Sequence, residues 1–198
     1  MKTAKSVLAY VSILLLSFSM SNANIDYAVL GGGCFWCLEA IFERVDGVKD
    51  VISGYAGGHT ENPKYKEVCS GSTGHAEVIK ILYDSNKISY NRIIEIFLST
   101  HDPTTKNRQG NDIGTQYRSI ILYNNPKQKL EAIEVIEKIN KSGTLRDKIV
   151  TEVIKINTFY NAEIEHQDYY KENPNAPYCN FVIRPKINKA KKHNTDIK

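Results

Sequence analysis

An α+β fold, a two-layer sandwich with helices packed on one face of a mixed or antiparallel sheet and a ferredoxin-like core, is the architecture that the sequence predicts. Three observations carry it. Runs of period two and of period 3.6 follow one another in the order β-α-β-β-α-β-α-β, the succession of a split βαβ unit with additions. The chain of 198 residues is long enough for one domain with a sizeable core. After residue 23 no apolar run of membrane-spanning length occurs.

Residues 1–23 are set apart from that domain. Lys2 and Lys5 precede a short apolar run from Val7 to Phe18, and Ser21-Asn22-Ala23 has the small-x-small pattern of a cleavage site. The expectation is a secretory signal peptide, cleavage after Ala23, and an exported protein, periplasmic or secreted.

Tyr27–Leu30 then makes a short buried strand, which Gly31-Gly32-Gly33 breaks. Leu38, Ile41, Phe42 and Val45 recur at helical spacing, with Glu39, Glu43 and Arg44 on the face expected to meet solvent, until Asp46-Gly47 stops the helix. Val48–Tyr55 is strand-like, a polar loop runs through Gly74, and His75–Tyr83 is a strand. Ser89 caps a helix whose inward stripe is Ile93, Ile94, Phe97 and Leu98. A long loop, His101–Gln116, leads to the strand Tyr117–Tyr123. Asn125-Pro126 opens a helix with Leu130, Ile133, Ile136 and Ile139 inward and Gly143 near its end. Thr151–Asn157 is the last clear strand and Glu163–Tyr170 a short helix. Beyond Pro174 the chain is proline-punctuated and is expected to wrap the surface irregularly. The domain is drawn over residues 24–183, with a basic, flexible tail at 184–198.

Charge excludes one class of function. The whole chain carries 26 Lys and Arg against 22 Asp and Glu, yet Arg184–Lys198 alone holds six basic residues and one acidic. The body is then near neutral, without the spread basic footprint of a nucleic-acid binder.

Chemistry is concentrated in LGGGCFWCLEAIF, Leu30–Phe42. The glycines match neither a dinucleotide fingerprint nor a P-loop. They place Cys34 at a helix N-terminus, where unpaired N–H groups and the helix dipole favour a thiolate. Cys34 is the natural nucleophile, and Cys37, one turn on, is placed to attack what forms on it. A zinc site and a thioredoxin-like dithiol centre compete with this; the remaining cysteines, Cys69 and Cys179, form no second close pair. In GSTGHAEV, Gly71–Val78, the strand period puts Glu77 on the face of Ile79, Ile81 and Tyr83, where burial would raise its pKa and keep it protonated at neutral pH; a salt-bridged or solvent-facing edge Glu fits the same pattern.

Taken together, GGGCFWC, GYAGG at Gly54–Gly58, NPKYKEVCSGSTGHAE at Asn62–Glu77, DIGTQYRS at Asp112–Ser119, HQDYY and YCNFVIRPK resemble the A-type peptide methionine sulfoxide reductases, over most of the chain and in the family's order. The resemblance implies reduction of free and protein-bound methionine S-sulfoxide. Cys34 would attack the sulfur, Glu77 would protonate the oxygen, and Tyr65 and Tyr117 would donate hydrogen bonds to it. Phe35 and Trp36 would hold the methyl group, with Asp112 and His166 near the substrate main chain. A Cys34 sulfenic acid would follow, then a Cys34–Cys37 disulfide, reduced by thioredoxin or a relative. The family's resolving cysteine often lies in the C-terminal segment, so a role for Cys37 departs from that pattern. No metal or cofactor is implied, and a monomer is expected.

Overall fold

The computed structural model describes residues 23–198, so the leader expected at 1–23 lies, but for Ala23, outside the described residues. In chain order the elements are β1 (Ile25–Gly31), α1 (Phe35–Phe42), β2 (Val48–Ala56), α2 (Tyr65–Cys69), β3 (Ala76–Asp84), α3 (Tyr90–Thr100), the two-residue strands β4 (Arg108–Gln109) and β5 (Asp112–Ile113), β6 (Ile120–Tyr123), α4 (Pro126–Ser142), β7 (Glu152–Lys155), β8 (Phe159–Asn161), α5 (Tyr169–Glu172) and α6 (Arg184–His193).

The main sheet runs β7-β6-β1-β3-β2-β8. Its four inner strands, β6-β1-β3-β2, are antiparallel to one another, β8 joins β2 antiparallel at one edge, and β7 joins β6 in parallel at the other. This is the split βαβ arrangement the sequence predicts, extended by one strand on each side. Alternation sorts the side chains. Leu30, Ile79, Ile81, Tyr83 and Ile121 join the core formed with α1 and α3. Val29, Val78, Ile120 and Leu122 form a smaller cluster under Tyr27, Ile156 and Phe159.

The helix ends follow local chemistry. Ser89 accepts a hydrogen bond from the Arg92 N–H at 3.2 Å, and Asn125 accepts one from the Gln128 N–H at 2.9 Å. Pro126 fills the first turn of α4, and Gly143 closes it in the left-handed region at φ 68°.

Several expectations are corrected. The loop before Gly74 contains α2, a single short turn of helix. Tyr117 lies in a 3₁₀ turn, Thr115–Tyr117, ahead of β6 rather than in the strand. Another strand, β8, follows β7, and the predicted helix at 163–170 divides into a 3₁₀ turn, Ile164–His166, and α5. Leu130 is exposed, whereas Ile136 and Ile139 pack against the core as expected, and α4 also turns Gln128, Ala132 and Val135 inward. Gln128 can occupy a core position because its amide donates to the Tyr27 carbonyl and accepts from the Asn124 N–H, leaving no buried polar atom unpaired.

Two larger corrections concern the C-terminus and the outer face of α1. Residues 184–198 are not a free tail. A π-helical turn, Cys179–Ile183, runs directly into α6. Cys179, Ile183, Ile187 and Ala190, spaced by four, four and three, pack into the core. The end is tied down as Ile197 bridges Val45, and Arg92 donates to Asp196 at 3.0 Å. Where α5 packs on α1, Glu39 is buried rather than solvated. It accepts hydrogen bonds from the Ser53 hydroxyl at 3.0 Å and the Tyr169 N–H at 3.3 Å.

Candidate active site

The site begins where β1 gives way to α1. Gly32 lies against the His101 ring, within 3.0 Å of where a Cβ would sit, and Gly33 adopts φ +95°, so this bend needs residues without side chains. The Gly33 N–H donates to the Tyr117 carbonyl at 3.1 Å, which ties the 3₁₀ turn to the glycine bend. Cys34 is the N-cap of α1 and Cys37 lies in its first turn; both are buried, and all four cysteines are free thiols.

Glu77 is 1% exposed, at the end of β3, and accepts a hydrogen bond from the Phe35 N–H at 3.0 Å. Burial pushes its carboxyl up to about 8, only partly offset by that bond, so it is protonated at neutral pH. Its charge, when present, would be felt at Cys34, Tyr65 and Tyr117, whose ionisation it opposes together with burial. Phenols held up in this way remain hydrogen-bond donors. Asp112, on β5, is half-buried, and burial raises its carboxyl.

An aromatic wall adjoins this group. Phe35 is fully buried; its ring lies 6.4 Å from Tyr65 and 5.5 Å from His166, which in turn is 5.5 Å from Trp36 and 4.2 Å from Tyr65. Trp36 stacks on Tyr169 at 3.7 Å and meets Tyr178 edge-on. Trp36 Nε1 and His166 Nδ1 are buried with no hydrogen-bond partner among the described residues. Unpaired polar atoms in an aromatic pocket are costly unless a ligand satisfies them. Burial lowers the His166 pKa, which favours the neutral ring.

The ionisation of the cysteine pair differs from expectation. Cys34 stands at the helix start as predicted, but burial, then its hydrogen bond to Cys37, raises its thiol well above the ordinary range. Cys37 is instead lowered to about 7, first by the hydrogen bond from Cys34 and further by Lys186 and Tyr178. The two thiols titrate as one unit, so moving a single proton between them gives the Cys34 thiolate.

Every residue the sequence singled out therefore falls in one neighbourhood. The sequence reading missed Tyr178, Lys186, Tyr169 and Glu163. The Tyr178 hydroxyl is 3.9 Å and the Lys186 Nζ 3.6 Å from the Cys37 sulfur. Glu163 holds Tyr65 by accepting from its N–H at 3.0 Å and also accepts from the Tyr55 hydroxyl. Three of the four stand in or beside the motifs HQDYY and YCNFVIRPK, which flagged the segment without assigning these side chains. Among the described residues no group of three or more His, Cys, Asp or Glu side chains is arranged to hold a metal ion.

Comparison with known proteins agrees with this geometry. The family profile described as "Peptide methionine sulfoxide reductase" matches residues 26–198. A peptide methionine sulfoxide reductase MsrA of Trichodesmium erythraeum is 55% identical over 172 residues, covering 87% of this chain and 97% of that protein. Methionine sulfoxide reductase A of Corynebacterium diphtheriae superposes with a TM-score of 0.74 at 34% identity, covering 80% of each chain. Mxr1 of Saccharomyces cerevisiae in reduced form gives 0.73 at 34% identity, covering 80% of this chain and 91% of that one.

Proposed function

We propose a catalytic cycle from the premise that this chain belongs to the peptide methionine sulfoxide reductase family. It is a peptide-methionine (S)-S-oxide reductase, which uses thiols to reduce methionine sulfoxide to methionine. The observation that carries the residue assignments is the buried, protonated Glu77 beside the Cys34 bend, an acid positioned where a thiol would attack.

In the first step the Cys34 sulfur attacks the sulfoxide sulfur while Glu77 delivers a proton to the oxygen, and Tyr65 and Tyr117 hydrogen-bond to that oxygen as its charge develops. Phe35 and Trp36 receive the methyl group. Trp36 Nε1 and His166 Nδ1, without a hydrogen-bond partner among the described residues, would meet the substrate main chain, as would Asp112. The oxygen and one proton pass to Cys34, leaving methionine and a sulfenic acid. Cys37 then forms the S–S bond to Cys34, and water leaves. A dithiol reductant restores both thiols and becomes a disulfide itself. Thioredoxin, or a thioredoxin-like protein outside the cytosol, is the reductant that suits an exported enzyme; export rests on the leader pattern at 1–23.

The test is to supply the S and R epimers of a methionine sulfoxide peptide separately, with dithiothreitol. Methionine should form from the S epimer alone, and failure with both would overturn the assignment. Recovery of the protein outside the cytosol beginning at Asn24 would support export, whereas a chain retaining Met1 in the cytosol would remove it.

A further inference from the structure

We propose that Lys186, carried by α6, is the group that readies Cys37 as the resolving nucleophile and as the leaving thiolate when the disulfide is reduced. This rests on the assignment of Cys37 as the resolving thiol. Four observations support it.

The Lys186 ammonium donates to the Cys37 sulfur at 3.6 Å, and among the described residues no carboxylate forms an ion pair with it. A half-buried cation facing sulfur, without a carboxylate partner, is best satisfied when that sulfur is a thiolate.

The backbone that delivers it is unusual. In the π-turn Cys179–Ile183 the Arg184 N–H donates to the Cys179 carbonyl, five residues back. In a regular helix Tyr178 and Lys186, eight residues apart, would point about 80° from each other. One π-turn absorbs about one extra residue, which brings the two nearly onto one face. Both meet Cys37.

Among the described residues Lys186 is the cation that acts on Cys37. The titratable groups facing this sulfur are Cys34 at the start of α1, Tyr178, Lys186, Asp112 on β5, Glu77 on β3 and Cys179 in the π-turn. Of these, Asp112 and Glu77 oppose a negative sulfur when ionised. Lys186 also borders a cavity of about 600 Å³ with Asp102, Gln109 and Lys189, so its charge is not sealed in an apolar core.

The step affected is the second one. The Cys37 thiolate attacks the Cys34 sulfenic acid, the Cys34 S–O bond breaks, and the departing hydroxide takes up a proton as water. When the external dithiol later attacks Cys34, the Cys37 sulfur leaves as a thiolate against the same ammonium. A leaving thiol of lower pKa departs faster.

The experiment uses rapid quench without reductant, in wild type, Lys186→Met, Lys186→Arg and Cys37→Ser, from pH 6 to 9.5. It follows methionine, disulfide and dimedone-trapped sulfenic acid. Loss of the cation moves the Cys37 titration upward by about one pH unit. Below both midpoints this removes thiolate about tenfold but leaves a sulfur about threefold more reactive, so disulfide formation slows about threefold. Above pH 9 the deficit disappears or reverses. Lys186→Arg should behave like wild type. A Lys186→Met profile identical to wild type, or one slower by the same factor at every pH, overturns the proposal, the latter because general damage to packing has no pH signature. Cys37→Ser separates the two levels of the argument. If it still joins Cys34 to Cys69 or Cys179 at the wild-type rate, the resolving role of Cys37 fails. If it accumulates sulfenic acid while Lys186→Met matches wild type, only the role of Lys186 fails.

Discussion

Two regions of the molecule reach the same pair of sulfur atoms by different routes. The first runs from β1 through the glycines into α1 and presents Cys34 and Cys37 by local rules: a strand ends, residues without side chains allow a sharp bend, and a helix begins. The second is the C-terminal stretch 163–198, which places Glu163, His166, Tyr169, Tyr178 and Lys186 around that bend through contacts more than 90 residues distant in sequence. Losses in the first region should fall on the chemical steps, and losses in the second on access, affinity and the charge state of Cys37.

The largest effects should follow changes in the first region and at Glu77 of β3, which is tied to that region by the hydrogen bond it accepts from the Phe35 N–H. Cys34→Ser removes the attacking sulfur and should abolish methionine formation. Glu77→Gln should slow single-turnover reduction by about a hundredfold or more, the usual contribution of a positioned acid. Because burial raises the Glu77 carboxyl to about 8, wild-type activity should hold below that pH and fall as the pH rises through it, while the variant should lack this alkaline limb. A Glu77→Gln enzyme that retains both the wild-type rate and its alkaline limb would dissolve the contrast between the regions.

A smaller loss is expected from the second region. Ile187 is buried where α6 meets the core. Truncation to Ala should cost about 2–4 kcal/mol, as for other large-to-small core changes, and lower the thermal midpoint. It should also speed alkylation of Cys37, whose cover includes Tyr178 and Lys186 from the same segment. Unchanged alkylation despite lower stability would mean that α6 only packs and does not shield the thiol.

The same contrast explains what could be read from the sequence. The strands and helices of the central βαββαβ unit follow from periodicity, and period two puts Glu77 on the face of Ile79, Ile81 and Tyr83, although it took the resemblance to give that carboxyl a role. The C-terminal segment concealed its helix. Pro185 and the run of lysines read as an open tail, yet Ile183, Ile187 and Ala190 carry an inward stripe. Glu39 is misplaced for a similar reason, because its cover comes from Tyr169 of α5, 130 residues away in sequence. The ionic state of the cysteine pair was equally hidden. A helix N-terminus argues for a Cys34 thiolate, but the cation and phenol that favour Cys37 come from residues 178 and 186.

The smallest effect tests the link between the regions at Glu39, which belongs to α1 yet accepts its second hydrogen bond from Tyr169. Burial raises this carboxyl from 4.5 to about 7. The folded state therefore binds the proton more tightly than the unfolded chain, so the stability contributed is complete below about pH 4.5, declines as pH rises, and is lost above about 7. Glu39→Gln keeps the neutral form at every pH. Near pH 8 it should be more stable than wild type by about 1–2 kcal/mol, or about 3–6 °C in thermal midpoint for a domain of this size. Near pH 4.5 the advantage should vanish, and the slope that persists in the variant would come from the other shifted groups, Glu77 and Glu43 among them. Equal midpoints for the two proteins at pH 8 would mean that Glu39 stays ionised in the fold, with Ser53 and the Tyr169 N–H stabilising the carboxylate. The clamp between α1 and α5 would then be ionic, and it would strengthen rather than relax as the pH rises.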